Sequence, residues 1–589
     1  MSKHKSSVPK AKSASRAPAG SRRVGGEPPP GVAEPRGGFF SSPATRETIE
    51  SIVIAFILAF LFRTFEAEAF VIPTGSMAPT LLGRHKSVDC PICGYHYSVS
   101  ASEEVTPEGA SLGSGARVVR STCPMCGYTA DLSPGNSQRR DYPPMKGDRI
   151  LVNKFYYDLC DPQRWDVAVF KYPGEAQTNF IKRLVGLPNE TIRIWHGDIY
   201  IRDDARPEGR FEIARKPPHK LLAMLQPVFD NDFSPALMRW GWPSRWWPEP
   251  SASGAPIWRS SEDQREFTVD GSAAGEAWLR YRHRVPRPDE WQRAVRQGQA
   301  PPGEVARPTL ISDFTAYNSA QQYSGGRWRD AGPFWVGDLA VEFDLEVRSA
   351  QGEAIVELVE GGRRFRCRFD LSSGQAELSI SGMDMIDFRP VAATAVRAPG
   401  IHRVRFANCD NQLLLWVDDR LVEFDRPTTF PELGNHRPTP ADLSPVGIAA
   451  SGASLKVEKL RILRDIYYIA RRSTTKGNVT SSFTEHDYPL DEPERWQHLD
   501  EPEYVEFALG EGQYLALGDN SDKSKDSRLW AGGPPPSGEP PLDFFVRREL
   551  LTGKAMFIYW PDTPYKFRVP LTNLRIPFFP NVGDMQFVR

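Results

Sequence analysis

The chain contains few cysteines and almost no excess of charge. Its 589 residues include seven cysteines, too few for a disulfide scaffold, and four of these stand in two C-x-x-C motifs. The net charge of −1 creates no overall field that would attract nucleic acid, so we expect no nucleic-acid partner. A chain of this length exceeds one hydrophobic core, and we expect about three to five folded units.

Long apolar runs are also scarce. The longest, residues 52–62, is shorter than the roughly 20 residues that a membrane span needs. Snorkelling of Arg46 and Arg63 would extend it, which favours a retained transmembrane helix over residues 45–66. A buried core helix and the apolar part of a cleaved signal peptide are the alternatives. Residues 1–44 are small, polar and basic, which predicts a disordered tail that stays in the cytoplasm.

Glycine, proline and β-branched runs dominate the rest, which predicts a mainly β protein. Between 226 and 470 the apolar residues alternate with polar ones, as an antiparallel sandwich requires, and this part resembles concanavalin-like jelly rolls. We divide the folded sequence into one core in three parts and two inserts. The core comprises residues 67–86, 132–225 and 471–589, and the inserts are 87–131 and 226–470.

A serine and a lysine form the candidate reactive pair. Ser76 lies in the turn IPTGSMAP at residues 72–79, and Lys182 lies in the strand-like run FIKRLVG at 180–186. A serine nucleophile needs a base, and lysine serves only when burial lowers its pKa. Strand periodicity places Lys182 on an apolar face with Phe180 and Leu184. Alone, each residue is more often a turn serine or a solvated lysine, but a third motif, GDNSDKSKDSR at 518–528, favours a Ser-Lys hydrolase.

These three segments resemble the signature boxes of bacterial type I signal peptidase, and the resemblance covers about a third of the chain. It implies that Ser76 is the acyl-forming nucleophile and Lys182 its general base. It also implies that the Thr74 hydroxyl and the Ser76 backbone N–H hold the oxyanion, and that Ser524 hydrogen-bonds the lysine. By proximity, Phe70, Ile72 and Met77 are candidates to line the substrate groove. The remaining supporting residues are Arg183, Asp519, Asn520, Asp526, Ser527 and Arg528.

The resemblance implies a membrane-anchored serine endopeptidase that removes signal peptides from exported preproteins after small residues. Its catalytic part would lie outside the bacterial plasma membrane, its N-terminus would be cytoplasmic, and catalysis would need no cofactor. One alternative is an anchored surface or carbohydrate-binding protein with an inactive peptidase core. Another is a self-cleaving Ser-Lys regulator. The joint presence of Ser76, Lys182, Asp519 and Ser524 counts against the first, and the Gly-Asp-Asn box counts against the second.

The paired motifs CPICG and CPMCG predict a metal site formed by Cys90, Cys93, Cys123 and Cys126. Two such knuckles supply four thiolates, the ligand set of a structural zinc ribbon. Disulfides are the alternative, because an exported segment meets oxidising conditions. The role of this module is open.

A cluster of tryptophans marks the start of the larger insert. Exposed aromatics on a concave sheet would suggest glycan binding, whereas tryptophans more commonly fill the core and edges of a sandwich. We favour the second interpretation and keep glycan binding as the alternative. The residues concerned are Trp240, Trp242, Trp246 and Trp247.

Overall fold

A computed structural model provides the coordinates, and the chain divides into two compact units, one ending at Phe62 and the other beginning at Arg63. The structure describes residues 43–61, 67–106, 110–136, 140–250, 257–272, 275–300, 307–322, 332–383, 388–434, 436–473, 479–481, 489–496, 504–531, 543–561 and 582–589.

The described part of the first unit is one helix, Pro43–Leu61. Several of its apolar side chains are exposed, among them Ile52, Ile54 and Phe56. None of the helices in the described residues is both long enough and apolar enough to cross a membrane. Of the span expected over 45–66, residues 45–61 lie in the described helix, whereas residues 62–66 and the expected tail up to residue 42 lie outside the described residues.

The second unit is mainly β, and its first large sheet carries the candidate site. Each neighbouring pair of strands in this sheet is antiparallel. The central strands are buried on both faces, since Val167 and Val169 pack in one apolar cluster while Ala168 and Phe170 pack in another. In spatial order the strands are Ala67–Val71, Arg149–Asn153, Leu551–Trp560, Val167–Tyr172, Glu175–Gly186, Gln513–Leu517 and Val546–Arg547, with Gln586–Phe587 beside Leu551–Trp560.

This strand order explains how distant motifs meet. The strand Glu175–Gly186, which carries Lys182, pairs with Gln513–Leu517, so the sequence that follows Leu517 begins beside the lysine. The strand Ala67–Val71 lies at the edge of the sheet and leads directly into the Ser76 turn. A smaller sheet packs its apolar side chains against the large sheet, at the strands Glu175–Gly186 and Gln513–Leu517. The strands of the smaller sheet are Glu212–Ile213, Asp198–Asp203, Glu190–Trp195 and Val505–Ala508.

Two further sheets pack face to face around the largest apolar cluster among the described residues. Alternate residues of each strand contribute to it, such as Val341 and Phe343 from one sheet and Val356 and Leu358 from the other. One sheet contains Arg259–Ser260, Glu266–Asp270, Ser454–Arg464, Leu339–Val347, Gly400–Cys409, Gln412–Val417 and Arg420–Leu421, with Gln226–Asp230 beside Ser454–Arg464. The other contains Trp246–Pro248, Glu276–Tyr281, Val446–Ser451, Glu353–Glu360, Arg363–Asp370, Gln375–Ile380 and Val391–Ala393.

The larger insert also supplies residues to the cysteine module. Trp242, Trp291 and Ala316 share an apolar cluster with Cys123 and Cys126. The small sheets are Gln321–Gln322 with Val118–Thr122 and Thr129–Asp131, His96–Ser100 with His85–Asp89 and Pro144–Met145, and Arg471–Ser473 with Val479–Ser481. The short helices are Tyr156–Leu159, Pro218–Met224, Ser234–Met238, Pro288–Gln297, Pro493–Trp496 and Ser527–Trp530.

Candidate active site

The candidate nucleophile lies on a tight turn at the end of the edge strand. Ser76 is the middle residue of a single 3₁₀ turn, Gly75–Met77, and the Ala78 N–H closes it by donating to the Gly75 carbonyl at 3.1 Å. Met77 is completely buried in the core and anchors the turn, while Ser76 itself keeps 7% of its surface exposed. Thr74 precedes the turn, is exposed, and makes no side-chain capping bond to it. Ser76 is therefore a buried residue with a small exposed fraction, next to the exposed Thr74.

Lys182 reaches this hydroxyl. Its Nζ lies 2.6 Å from Ser76 Oγ and donates to the Ile181 carbonyl at 2.9 Å. The side chain is buried, and its Nζ lies 5.3 Å from the centre of the Phe180 ring. Burial lowers the pKa of Lys182 to about 8, although the carboxylates of Asp526 and Asp519 act in the opposite direction. Near neutral pH a usable fraction of this lysine is consequently the free amine that can accept the serine proton.

Asn520 fixes the backbone around the serine. Its N–H donates to the Ser76 carbonyl at 3.0 Å and its Nδ2 donates to the Gly75 carbonyl at 2.9 Å. Gly518 lies very close to the Ser76 carbonyl. A Cβ added to this glycine would lie 2.3 Å from both the Ser76 carbonyl oxygen and Ser524 Oγ. The glycine is required here for close approach, because any side chain would displace the nucleophile.

Two buried ion pairs support this region. Arg183 donates from Nε and Nη2 to the two carboxylate oxygens of Asp519, both at 2.7 Å. Arg528 donates in the same two-pronged way to Asp526, at 2.8 and 2.7 Å. All four side chains are almost fully buried, so neither pair is an ordinary surface salt bridge.

The Asp526 pair also organises the chain that follows the Gly-Asp-Asn box. Asp526 accepts the Gly518 N–H at 3.0 Å and caps the helix Ser527–Trp530 by accepting the Arg528 N–H. The Ser527 hydroxyl accepts the Ala516 N–H at 3.0 Å. These bonds hold the segment 518–528 against the strand that precedes it.

Ser524 differs from what the resemblance implies. It lies against Gly518 and is buried, but its Oγ has no hydrogen-bond partner among the described residues. The expected bond to Lys182 is therefore not made in this structure, in which Ser76 Oγ and the Ile181 carbonyl are the partners of Nζ. A buried hydroxyl without a partner is unusual.

The residues predicted to line the substrate groove differ in how far they are buried. Phe70 is partly buried beside an apolar cluster, whereas Ile72 and Met77 lie inside that cluster with 2% and 0% of their surface exposed. Ile72 and Met77 thus form the core beneath the serine turn and not an accessible groove wall. Val71, which was not singled out from the sequence, is 50% exposed on the edge strand.

Two residues of the larger insert also reach the serine turn and were missed by sequence reasoning. Tyr317 packs on Gly75, where an added Cβ would lie 2.1 Å from its ring. Asn318 exchanges two hydrogen bonds with Asn520, at 2.7 and 2.8 Å. No local motif marks either residue, and both are more than 200 residues from Ser76 along the chain.

The four predicted cysteine ligands converge. Cys90 Sγ lies 3.5 Å from Cys126 Sγ, Cys93 Sγ lies 3.6 Å from Cys123 Sγ, and all four sulfur atoms lie within 4.8 Å of one another. None of these thiols forms a disulfide. Each motif folds into the same knuckle, in which the N–H of its glycine donates to the carbonyl of its first cysteine at 2.9 Å, and both glycines adopt positive φ angles.

The tryptophans of the insert are mostly internal. Trp242 and Trp240 pack in the cysteine-module cluster, and Trp246 lies in the sandwich core. Trp247 alone of the four is exposed, and the Arg282 guanidinium stacks on its ring at 4.3 Å. Their burial accords with a packing role.

Two segments of the chain match a known family. The model of the family described as signal peptidase, peptidase S26, matches residues 132–231 and 460–560, together about a third of the chain. The matched segments contain Lys182 and the 518–528 motif but not Ser76, which the structure brings to the lysine from outside them. The comparison therefore shows similarity to this family in the parts of the chain that carry the lysine and the 518–528 motif.

Curated relatives carry the same description. Signal peptidase I of Pseudomonas aeruginosa is 51% identical over 59 residues, which cover 8% of this chain and 21% of the relative. Signal peptidase I of Rickettsia bellii is 25% identical over 164 residues, covering 28% of this chain and 42% of the relative. The chain thus spans between about a fifth and less than half of the length of these relatives.

Solved structures give weaker likenesses. A carbohydrate-binding module from Bacillus subtilis aligns with 37% of this chain and 95% of its own length, at 9% identity and a TM-score of 0.20. A galectin from Caenorhabditis elegans aligns with 22% of this chain and 83% of its own length, at 10% identity and a TM-score of 0.16. Scores of this size establish no common fold.

Proposed function

We propose that this chain is a membrane-anchored signal peptidase I that cleaves exported preproteins after small residues by a Ser76-Lys182 dyad. The observation that carries the proposal is the 2.6 Å separation of Ser76 Oγ from a buried lysine amine whose pKa is lowered to about 8. The matches to peptidase S26 and to signal peptidase I of several bacteria support the same reaction.

The proposed mechanism uses Ser76 as the nucleophile and Lys182 as its base. Lys182 in its neutral form takes the proton of Ser76 Oγ, and the alkoxide attacks the scissile carbonyl. The Ser76 N–H and the Thr74 hydroxyl, which is exposed and free of a capping bond, stabilise the oxyanion. The lysine ammonium then protonates the leaving amine, and the same amine activates water to hydrolyse the acyl-enzyme. No metal or cofactor takes part in these steps.

The substrate peptide would bind as an added strand. Ala67–Val71 lies at the edge of its sheet and ends a few residues before Ser76, so an extended peptide paired to it would place a carbonyl near the nucleophile. Signal peptides end in A-x-A-like sequences. Val71, which is 50% exposed, would contact small substrate residues on one face of this strand, and the partly buried Phe70 would do so on the other.

The location belongs to the same proposal. We place the protein in the bacterial plasma membrane with a cytoplasmic N-terminus, an anchor at residues 45–66, and the catalytic part on the outer side. The exposed apolar side chains of Pro43–Leu61 and the basic residues of the preceding tail support a lipid partner.

The cysteine module is proposed to hold a structural zinc ion. Four thiolates at a Zn–S distance of about 2.3 Å stand about 3.8 Å apart at tetrahedral corners. The sulfur separations of 3.5 and 3.6 Å are near that value and far above the roughly 2.05 Å of a disulfide.

Metal analysis of the purified full-length protein should find about one zinc per chain. The zinc should be lost in Cys123→Ser and kept in Cys160→Ser, because the Cys160 thiol is exposed and lies elsewhere. Metal-free, disulfide-linked wild type would exclude zinc.

The peptidase proposal is tested with purified full-length protein and a preprotein carrying an Ala-x-Ala site. We expect cleavage by the wild type and none by Ser76→Ala or Lys182→Ala. Lys171→Ala is the matched control, because it removes a lysine from the adjacent strand without touching the serine. Cleavage by either active-site variant would remove the dyad mechanism. An inert wild type would favour the alternative of an inactive core.

A further inference from the structure

The turn Ala316–Asn318 belongs to the larger insert, outside the segments that match the peptidase family, yet it contacts the serine turn. Tyr317 is 3% exposed, its ring fills the space above Gly75, and its hydroxyl donates to the Arg84 carbonyl at 3.3 Å. This packing leaves no room for the Gly75 peptide to move toward the insert.

Asn318 acts on the same peptide through Asn520. Its Nδ2 donates to Asn520 Oδ1 at 2.7 Å, and its Oδ1 accepts from Asn520 Nδ2 at 2.8 Å. The second hydrogen of that Nδ2 group is donated to the Gly75 carbonyl. Both the Oδ1 and the Nδ2 of Asn520 are thus held by hydrogen bonds. Their orientation in turn fixes the Gly75 carbonyl, which immediately precedes the nucleophile. Without Asn318, the buried Oδ1 of Asn520 would lose its donor, and the amide would be free to turn.

The insert turn is itself held from the other side. The Thr122 N–H donates to Ser319 Oγ at 2.9 Å, and Ser319 Oγ donates to the Ala316 carbonyl at 2.8 Å. Thr122 ends the strand Val118–Thr122 and directly precedes Cys123 of the cysteine module. The turn is therefore a rigid link between that module and the serine turn.

We infer that Asn318 is a positioning residue for the proposed peptidase reaction. By orienting the Asn520 amide it holds the Gly75–Ser76 peptide so that Ser76 Oγ stays within reach of the lysine. The inference rests on the proposed function and adds a role for the insert in it. Because Asn318 contacts neither the serine hydroxyl nor the lysine, its loss should slow the chemical step and leave substrate binding unchanged.

The test compares Asn318→Ala with Gln322→Ala in the full-length protein, using preprotein cleavage. Gln322 lies four residues away and its side chain bonds the exposed Glu103. We expect Asn318→Ala to lower kcat at least about tenfold with KM changed less than about twofold, and Gln322→Ala to behave as wild type. Adding Asn318→Ala to Asn520→Ala should cause no further loss, since the first residue acts through the second.

Other outcomes decide against the inference. Wild-type kcat in Asn318→Ala, a loss confined to KM, or losses that multiply with Asn520→Ala would each overturn it. If Asn318→Ala does not fold, the isosteric Asn318→Asp decides, because it replaces the donor facing Asn520 Oδ1 by an oxygen: a lowered kcat at unchanged KM supports the role, and wild-type kcat refutes it. Failure of the proposed function is distinguishable, since the wild type itself would then not cleave.

Discussion

Replacing Lys182 by methionine should stabilise the folded protein at neutral pH while abolishing activity. Burial lowers the lysine pKa from 10.5 to about 8, and at 1.36 kcal/mol per pH unit this costs the ammonium form about 3 kcal/mol in the folded state. Methionine of similar shape avoids that cost but loses the contacts to Ser76 Oγ and the Ile181 carbonyl, about 1 kcal/mol each or less. At pH 7 the variant should therefore be roughly 1–2 kcal/mol more stable than the wild type.

The sign of this difference depends on pH. A lowered lysine pKa penalises folding fully below about pH 8, and the penalty disappears as pH rises from about 8 to 10.5, where the amine is neutral in both states. At pH 10 less than about 1 kcal/mol of the penalty remains, so the wild type should equal or exceed the variant in stability.

Urea denaturation at pH 7 and pH 10 measures both differences, with Lys171→Met as the control for loss of a lysine from the neighbouring strand. A difference between wild type and Lys182→Met that is the same at both pH values would show that Lys182 is not desolvated, and the argument for a lysine base would fail.

Three further predictions follow from the site. The kcat/KM of the wild type should rise about tenfold per pH unit up to about pH 8 and then level off, as the general base loses its proton; a flat profile from pH 6 to 9 would contradict this. Asp519→Asn leaves the buried Arg183 charge unpaired and should cost about 3–5 kcal/mol of unfolding free energy, and a cost below about 1 kcal/mol would mean that the pair is solvated. Gly518→Ala should lower kcat on the order of 100-fold, because its Cβ would displace the Ser76 carbonyl and Ser524 Oγ; pre-steady-state acylation measures this, and an unchanged rate would exclude the close packing.

The parts of the site that the sequence indicates are those with local signals. Proline and glycine on either side of Thr74 mark a turn, and the alternation around Lys182 marks a strand with a buried face; the structure places the two in contact. The C-P-x-C-G knuckles are similarly local, because a glycine with positive φ must follow the second thiol. Such features depend only on neighbours a few residues away in the sequence. The local sequence pattern is therefore enough to predict them.

Features that depend on tertiary packing could not be read in this way. Asn318 is an unremarkable residue in sequence, and its contact with Asn520 exists because the insert folds back over the serine turn. The burial of Ile72 and Met77 likewise follows from how the sheet packs, and proximity to Ser76 along the chain wrongly suggested groove positions.

The two carboxylates that act on Lys182 are each part of a buried ion pair. Asp526 and Asp519 both act to raise the pKa of Lys182, in opposition to the desolvation that lowers it. Each carboxylate is bound in two-pronged fashion by a guanidinium group, Asp526 by Arg528 and Asp519 by Arg183. At Lys182 the effect of burial is larger than that of the two carboxylates, and the pKa is therefore lowered to about 8. Asp526 also accepts the Gly518 N–H and caps the helix Ser527–Trp530, so its pair with Arg528 fixes the backbone beside the serine turn in addition to forming a buried ion pair.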